Sequence, residues 1–416
     1  MAVSSVTRLP LDSIRVIDLG HEWSCPHAAR FLADYGAEVI KIEYTKRLDF
    51  LRGGITRNRA YDGKLPFWQV HRNKKSLTLD LRDVLERDIF ERLVCESDIV
   101  LENSRPGVMD RLGLGYQRLR ELKPDIIMVS MSAFGSTGPE SQHRGYGGTI
   151  EAMAGIQSLT AYQPDSPPRR IREMDVTNGI MGAAAALTAL IARQHHGVGE
   201  WIDLSEAESA SHALLGEHML ACTTNGSNSQ PIGNRHPEFA PQGCYPCLED
   251  DSWLVLTVQN DSEWASLCVL LERPDLAADE RLSTASGRHQ HHDEIDAEIS
   301  SWSRSRQSLE ACEQLQAAGI AAGPVMSMQD LTTDQHLLER SYFLTPEQGD
   351  RHSRYPGFPF RMTRSSGRLT SRGPALGAHN HEIVCDLLGL PEQRVPQIDE
   401  SKLGTSLDPL GDLSQG

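Results

Sequence analysis

Short apolar runs alternate with amphipathic stretches along the first 130 residues. Residues 14–18 (IRVID) are predicted as a strand, residues 26–35 as a helix and residues 38–42 (EVIKI) as a second strand. Pro26 at the start of that helix and Gly36 just after it are typical of helix ends. Further strands are predicted at 77–79, 98–101 and 126–130, with helices at 84–95 and 108–122. This alternation predicts an α/β domain with an open parallel sheet, whose ligands bind at the carboxyl ends of the strands.

The pattern changes after residue 150. A long helix is predicted at 177–194, a strand at 201–204 and a second helix at 206–222. Residues 226–243 are rich in Gly, Asn, Ser and Pro and are predicted to form a long loop. After this loop, predicted strands and helices alternate again over a shorter region. The predicted segments are a large α/β domain at 1–225, a smaller α/β domain with its preceding loop at 226–345, and a C-terminal segment at 346–416 that returns to the large domain and ends in a polar tail.

The charge balance bears on the class of partner. The 416 residues carry 41 Lys and Arg against 57 Asp and Glu, a formal net charge of −16. This balance argues against nucleic acid or an anionic membrane as the main partner, so a polyanionic ligand requires a local basic cluster. No signal-peptide pattern precedes residue 14, and the apolar run at 180–192 is shorter than a membrane-spanning helix. We therefore expect a cytoplasmic protein in which this run forms a buried helix.

Cysteine and histidine patterns give no strong signal for a metal site. The eight cysteines are scattered through the chain, which favours reduced thiols in a cytosol. Cys244 and Cys247 have the spacing of a zinc knuckle, but a second pair of Cys or His at a matching distance is missing from the sequence. The histidine doublets at 195–196 and 291–292 are interpreted as solvated helix-end residues. We expect neither a metal nor a redox cofactor.

Several sequence blocks occur in a recognisable order. They are residues 15–21 (RVIDLGH), 36–43 (GAEVIKIE), 73–80 (NKKSLTLD), 98–103 (DIVLEN), 105–107 (RPG) and 319–328 (GIAAGPVMSM). Together they resemble the family III, or CaiB/BaiF-type, CoA-transferases. The resemblance covers nearly the whole chain, to about Leu390, and the second and third blocks are its strongest part.

The resemblance implies a fold, an assembly and a reaction. The implied fold has a large Rossmann-like domain with an open parallel sheet and a smaller α/β domain, and two protomers are threaded through each other as an interlocked homodimer. The implied reaction transfers coenzyme A from an acyl-CoA thioester to a free carboxylic acid. The expected partners are therefore an acyl-CoA donor and a small carboxylic acid acceptor. Among acceptors, a small dicarboxylate such as succinate is suggested by its frequency in the family.

Asp175 is the residue that the resemblance assigns as covalent nucleophile. It lies in residues 173–179 (EMDVTNG), just before the long apolar helix. By spacing alone, an Asp at this place is typical of a helix N-cap. Its carboxylate should be ionised at neutral pH, because its ordinary pKa is near 3.9 and a helix N-terminus favours the anion.

As a nucleophile, the Asp175 carboxylate would attack the thioester carbonyl. The reaction would pass through an acyl-aspartyl anhydride and an aspartyl-CoA thioester, and it requires that water be excluded. Backbone N–H donors for the oxyanions are expected from glycine-rich loops such as Gly147–Gly148 or Gly226–Ser227. The sequence does not choose between them.

The CoA site is expected to combine basic side chains with the loops after the first strands. A basic cluster beside the third predicted strand consists of Arg72, Lys74, Lys75 and Arg82. Such a cluster is a candidate for holding phosphates, although a charge run is also typical of a solvated edge. The cofactor-binding residues implied by the resemblance are His21, Trp23, Ser24, Arg82, Asn103, Arg111 and Arg144. The three arginines match positions that contact the nucleotide, and Asn103 matches one near the pantetheine or adenosine.

The sequence departs from the formyl-CoA transferase branch of the family at three places. Trp23 stands where that branch has a glutamine, and Tyr44 stands where it has an arginine, so Lys46 or Arg47 is expected to replace this phosphate partner. The loop at 226–243 replaces a tetraglycine loop that shields intermediates. Oxalate and formyl-CoA are therefore not favoured as substrates, and Trp23 and the loop are expected to shape the acyl pocket.

Two alternative functions remain open at this stage. The same fold hosts α-methylacyl-CoA racemases, whose catalytic histidine block aligns with residues 145–147 of this chain. Tyr146 in this block is a poor base at neutral pH, which argues against racemase activity. His143 lies close to the block in sequence, so the alternative is kept. The second alternative is a CoA-binding protein without turnover, or a lyase on the same fold. Glu206 and Glu208 are interpreted as ordinary acids in the first turn of a helix.

Overall fold

A six-stranded parallel sheet organises the larger of the two units into which the chain divides. The computed structural model describes residues 8–54, 57–349 and 351–404, and this unit comprises residues 8–157, 170–227 and 341–404 of them. The strands are β1 (Arg15–Asp18), β2 (Glu38–Glu43), β3 (Lys74–Thr78), β4 (Ile99–Glu102), β5 (Ile127–Ser132) and β6 (Trp201–Ser205). Their order in the sheet is β3-β2-β1-β4-β5-β6, and all neighbours are parallel. The predicted Rossmann-like sheet is thus confirmed.

The central strands β4 and β5 are fully buried because helices cover both faces of the sheet there, whereas the edge strand β6 is partly exposed. Successive side chains of a strand point to opposite faces, so a strand covered on both sides lacks the alternation of polar and apolar residues. On one face, Ile17 of β1 packs in a buried cluster with Phe90 and other side chains of the following helices. On the other face, the adjacent Val16 packs in a second cluster that includes Ala183.

The helices of the larger unit connect the strands and flank the sheet. They are α1 (Ser24–Asp34), α2 (Leu65–Val70), α3 (Val84–Cys95), α4 (Val108–Arg111), α5 (Tyr116–Leu122), α6 (Gly147–Met153), α7 (Met174–His196) and α8 (Glu206–Asn225). Helices α3 and α5 contribute to the first apolar cluster, and α1 and α7 contribute to the second. The βαβ connections account for the parallel strand direction.

Strand β3 begins three residues before the predicted strand at 77–79. Its first residue, Lys74, is buried, and its Nζ lies 2.7 Å from Asp18 Oδ2 at the end of β1. A buried lysine is tolerated only with such a partner. The prediction missed this part of the strand because a lysine pair at 74–75 is more typical of a surface, and the compensating carboxylate comes from a distant part of the chain.

Helix α7 is the longest helix of the larger unit. By length and composition it could cross a membrane. Its small residues, however, pack in the apolar cluster with α1 and β5, including Ala186 and Ala189, which are almost completely buried. Gly179 and Gly182 allow the close approach of its neighbours. One face of α7 thus packs in the core, whereas Ile180 and Ile191 on the rest of the helix are exposed. The run at 180–192 is therefore only partly the buried helix that the sequence predicted.

Replacing each of these two glycines by alanine should change the free energy of unfolding by different amounts. A β-carbon at Gly179 would lie 2.8 Å from the backbone oxygen of Ser24, whereas one at Gly182 would meet the flexible end of Met131 at 2.6 Å. Because a backbone atom cannot move aside alone, Gly179→Ala should lower the free energy of unfolding by about 1–3 kcal/mol. Gly182→Ala should change it by less than about 1 kcal/mol, since the gain in helix propensity offsets the crowding. Urea denaturation measures both, and equal losses would contradict this packing.

The smaller unit consists of residues 158–169 and 228–340. Its antiparallel sheet has the order β7-β8-β9, formed by β7 (Gln242–Pro246), β8 (Trp253–Thr257) and β9 (Ala321–Pro324). Its helices are α9 (Asp261–Leu270), α10 (Pro274–Ala278), α11 (Ala285–Gln290), α12 (His292–Ser303), α13 (Ser308–Ala317), α14 (Met328–Thr333) and α15 (Gln335–Glu339). The sheet and α9, α12 and α13 enclose a separate core around Trp264 and Leu256.

The chain after residue 340 belongs to the larger unit. It forms an antiparallel pair, β10 (Phe343–Leu344) and β11 (Tyr355–Pro356), and a π-helical turn at Glu382–Leu387. Ile383 and Val384 of this turn are buried in the same apolar cluster as Ile17. The helix predicted at 382–388 is therefore a single wide turn.

Candidate active site

Strands β1 and β4 lie side by side at the centre of the sheet, where the strand order reverses. The loops after these strands diverge, and such a point is where open α/β sheets bind their ligands. Asn103, just after β4, bridges the two loops. Its Oδ1 accepts a hydrogen bond from the His21 backbone N–H at 2.8 Å, and its Nδ2 donates to the His21 carbonyl oxygen at 2.9 Å. Two predicted CoA-binding residues are thus brought together.

The loop after β1 leads into helix α1 through a strained backbone. Glu22 adopts a φ of 64°, in the left-handed region that disfavours residues other than glycine. Trp23 follows as the N-cap residue of α1, and Ser24 begins the helix as a buried residue. Burial, together with the nearby Lys41, lowers the pKa of His21 to about 4, so its ring is neutral at pH 7.

The predicted basic cluster is divided between buried ion pairs and the surface. Arg72 is buried and bonded to the Asp34 carboxylate at 2.8 Å, and Lys74 is buried against Asp18. Lys75 is paired with two carboxylates, one of them from the C-terminal turn. Both interpretations of the cluster are therefore wrong for Arg72 and Lys74, which are neither phosphate ligands nor a solvated edge but buried structural charges.

The remaining predicted arginines lie on the surface. Arg82 bonds the Asp80 carboxylate at 3.0 Å and the Tyr44 hydroxyl, and its guanidinium lies 4.8 Å from the centre of the Tyr44 ring. Arg111 ends helix α4, and Arg144 lies in the loop before α6; both are exposed. These three side chains are accessible to a phosphate, and Tyr44 supports one of them by stacking.

Asp175 lies in the first turn of α7 and is not its N-cap. The N-cap residue is Glu173, whose side chain makes no capping bond. The Asp175 carboxylate faces the start of α6, because a β-carbon at Gly147 would lie 3.0 Å from its Oδ2. The same point lies 3.1 Å from Nη2 of Arg170. A side chain at position 147 would therefore crowd these two charged groups. The N-cap interpretation of Asp175 is wrong.

The electrostatic environment of Asp175 differs from the one expected at a helix N-terminus. Burial raises the pKa of its carboxyl group, the Arg170 guanidinium lowers it, and the charge of Glu151 raises it further; the net pKa is above the ordinary value. A raised pKa makes the carboxylate more basic, and hence a stronger nucleophile once ionised.

Glu206, predicted to be an ordinary acid in the first turn of a helix, is a further residue of this site. It begins helix α8, is buried, and its Oε1 accepts a hydrogen bond from the Ser24 hydroxyl at 2.5 Å. Burial raises the pKa of Glu206 to about 7; the bond from Ser24 opposes this rise, and the charge of Asp175 adds to it. The first turns of α1, α7 and α8 therefore meet around Ser24, Asp175 and Glu206.

The sequence does contain a signal for Glu206, namely its position. It follows directly after strand β6, so it lies at the same carboxyl edge of the sheet as the loops after β1 and β4. A polar residue at that edge is a site candidate whatever its helix position.

One of the two candidate donor loops is close to Asp175 and the other is not. Gly147 lies against the carboxylate, as described above. Gly226 ends α8, whose 20 residues begin at Glu206. A helix of this length spans about 30 Å, so Gly226 lies far from the Asp175 side of the helix.

Comparison with known proteins decides the family. The family model described as "CoA-transferase family III" matches residues 11–380. This chain belongs to CoA-transferase family III.

Curated and solved relatives agree with the family assignment. The chain is 35% identical over 401 residues to succinyl-CoA–D-citramalate CoA-transferase of Chloroflexus aurantiacus, covering 95% of this chain and 98% of the relative. It is 31% identical to succinate–glutarate CoA-transferase of Agrobacterium fabrum, covering 93% and 98%. A crystal structure of a CaiB/BaiF family protein from Brucella suis matches with a TM-score of 0.82 and 29% identity, covering 91% of this chain and all of that one.

The protein is therefore an enzyme of the CoA-transferase class, and CoA fits as its substrate. The resemblance to family III CoA-transferases is confirmed. His143, the residue that kept the racemase alternative open, is exposed and packs edge-on to the Phe134 ring. Tyr146 is also exposed, at the N-cap of α6.

Family III membership leaves open whether the chain holds a metal. Among the described residues, His381, Cys385 and Glu392 bring possible ligand atoms within 4.8 Å of one another. His381 is already paired with Glu392 at 2.8 Å, and both side chains are more than half exposed. Cys244 and Cys247 are free thiols of strand β7 and the residue after it. The expectation of a metal-free enzyme stays a prediction.

Proposed function

We propose that this enzyme transfers CoA from an acyl-CoA to a free carboxylic acid through covalent intermediates on Asp175. The observation that carries the proposal is the half-buried Asp175 carboxylate in the first turn of α7, which lies beside Gly147 and near the Arg170 guanidinium. A carboxylate in this setting is partly desolvated yet open on one side, as a nucleophile must be.

The first half of the reaction transfers CoA from the donor acyl group to the Asp175 carboxyl group. The Asp175 carboxylate attacks the thioester carbonyl, the C–S bond breaks, and CoA leaves as a thiolate. The thiolate then attacks the Asp175 carbonyl of the resulting anhydride, which releases the first acid as its carboxylate and leaves an aspartyl-CoA thioester.

The second half reverses these steps with the acceptor. The acceptor carboxylate attacks the aspartyl thioester and again expels the CoA thiolate, which then attacks the acceptor carbonyl of the new anhydride. The products are the new acyl-CoA and the free Asp175 carboxylate. No water is consumed, and no net proton is taken up or released.

Backbone donors beside Asp175 would stabilise the oxyanions of these steps. We assign this role to the N–H groups at Gly147–Gly148, since Gly147 lies next to the carboxylate and Gly148 follows it. Removing one such donor in comparable sites lowers the rate by about 10²–10³-fold.

The CoA portion is proposed to bind along the carboxyl edge of the sheet. The loop joined by His21 and Asn103 would hold the pantetheine, with Trp23 and Ser24 beside the thioester. Arg82, Arg111 and Arg144 would contact the nucleotide. Lys46 and Arg47, both exposed after β2, would replace the phosphate partner that Tyr44 cannot supply.

The acids are proposed to be small dicarboxylic acids, with succinyl-CoA as a donor. The relatives named above act on citramalate, succinate and glutarate, and each of these acids carries two carboxyl groups. We further propose that the enzyme works in the cytoplasm as a homodimer.

Trapping the covalent intermediate tests the proposal. The enzyme is incubated with a panel of acyl-CoAs, quenched with hydroxylamine and digested for peptide mass spectrometry. We expect a hydroxamate on the peptide that holds Asp175, because both the anhydride and the thioester react with hydroxylamine. Loss of α-deuterium from a 2-methylacyl-CoA without any adduct would instead establish the racemase alternative.

A further inference from the structure

The surroundings of Asp175 are rich in negative charge. Burial is the main cause of the raised pKa of Asp175, Glu22 and Glu206. Beyond burial, Arg170 lowers the pKa of Asp175, the charge of Glu151 raises it, and the charge of Asp175 raises the pKa of Glu22 and of Glu206. A substrate that brings a second carboxylate into this region would be repelled. An acid with a free carboxylate beside the reacting one therefore needs a cation close to Asp175.

The Arg170 side chain packs against Gly147 and Gly148, where the missing β-carbons leave room for it. A β-carbon at Gly148 would lie 3.0 Å from its Nε, and one at Gly147 would lie 3.1 Å from its Nη2. Because Asp175 Oδ2 lies 3.0 Å from that same Gly147 position, the two charged groups are within about 6 Å of each other, the range of strong charge interaction.

The guanidinium retains binding capacity on its outer side. Its Nε–H donates to Glu151 Oε2 at 3.4 Å, and the side chain is 48% exposed although Glu151 is fully buried. Glu151 is also held by the Arg172 backbone N–H at 3.0 Å and by the Gln157 amide at 3.4 Å. A guanidinium offers its remaining N–H groups as a planar fork that matches a carboxylate.

We propose that Arg170 binds the free carboxylate of a dicarboxylic acid whose other carboxyl group reacts at Asp175. The two carboxyl carbons of a four-carbon diacid are about 4 Å apart by standard bond lengths, so one molecule spans the gap between the two side chains. This inference rests on the proposed transferase function and assigns a residue to its substrate class.

Isotope exchange between an acid and its own CoA ester tests the proposal with a single acid at a time. Succinate exchange is compared with butyrate exchange in the wild type and in Arg170→Gln. Loss of a charge-assisted bond should lower kcat/KM for succinate about ten- to a hundredfold and change that for butyrate by less than about threefold. Arg169→Gln is the matched control, because Arg169 lies over the Tyr162 ring in the smaller unit. It should change neither exchange.

A double variant separates substrate binding from a structural role. If Arg170 only neutralises Glu151, then adding Glu151→Gln to Arg170→Gln should restore succinate exchange. We expect no restoration, because the substrate carboxylate still lacks its partner; restoration, or equal losses for both acids, would overturn the inference. A wild type that exchanges no acid at all would overturn the proposed function as well, so the two failures are distinguishable.

Discussion

Replacing Asp175 by Asn should abolish CoA transfer and leave the fold intact. An amide of the same shape cannot form the anhydride, and loss of a covalent nucleophile lowers turnover by about 10⁴-fold or more. Little stability should be lost, because Asp175 is not the N-cap of α7 and makes no capping bond. Transfer from succinyl-CoA to a dicarboxylic acid is followed by chromatography of the CoA esters, and the fold by thermal melting.

Glu173→Gln provides the control for this variant. Glu173 is exposed and lies two residues before Asp175. Its replacement by Gln removes the same charge from the start of the same helix. It should keep transfer within about twofold, since Glu173 is exposed and its side chain makes no capping bond. Transfer by Asp175→Asn at the rate of Glu173→Gln would show that the reaction does not pass through this carboxylate.

The apolar pattern predicted the centre of the sheet well because its central strands are covered on both faces. Runs such as residues 99–101, all completely buried in β4, have no other structural explanation in a chain of alternating helices and strands. The start of β3 was missed for the opposite reason. Lys74 lies in the core only because Asp18, 56 residues earlier, pairs with it, and such a compensation is not visible in the local sequence.

The candidate site was predictable only in part. The motif around Asp175 identified that residue, although its spacing alone pointed to a helix cap. Glu206 was missed because an acid in the first turn of a helix is ordinary, and its burial depends on Ser24, 182 residues away. Arg170 was missed because arginines in a loop give no signal until Gly147 and Gly148 are seen to pack against them.

Replacing Glu206 by Gln should stabilise the protein above pH 7 and not below pH 5. The folded protein raises the pKa of Glu206 from 4.5 to about 7, chiefly by burial. The free energy of unfolding that this raised pKa contributes is fully present below 4.5, the pKa of Glu206 in the unfolded chain. It is lost as the pH rises through about 7, where the buried group ionises. Glutamine resembles the protonated acid at every pH. The variant should therefore gain up to about 3 kcal/mol in free energy of unfolding at pH 8 over the wild type.

Urea denaturation of both proteins at pH 5 and pH 8 measures this difference. Glu208→Gln is the matched control, because Glu208 lies in the same first turn of α8 but is exposed. It should show the same small change at both pH values. A Glu206→Gln variant that is equally stable relative to wild type at pH 5 and pH 8 would mean that the carboxyl group is already ionised at pH 5. In that case Ser24 and the three helix N-termini would stabilise the anion more than burial destabilises it.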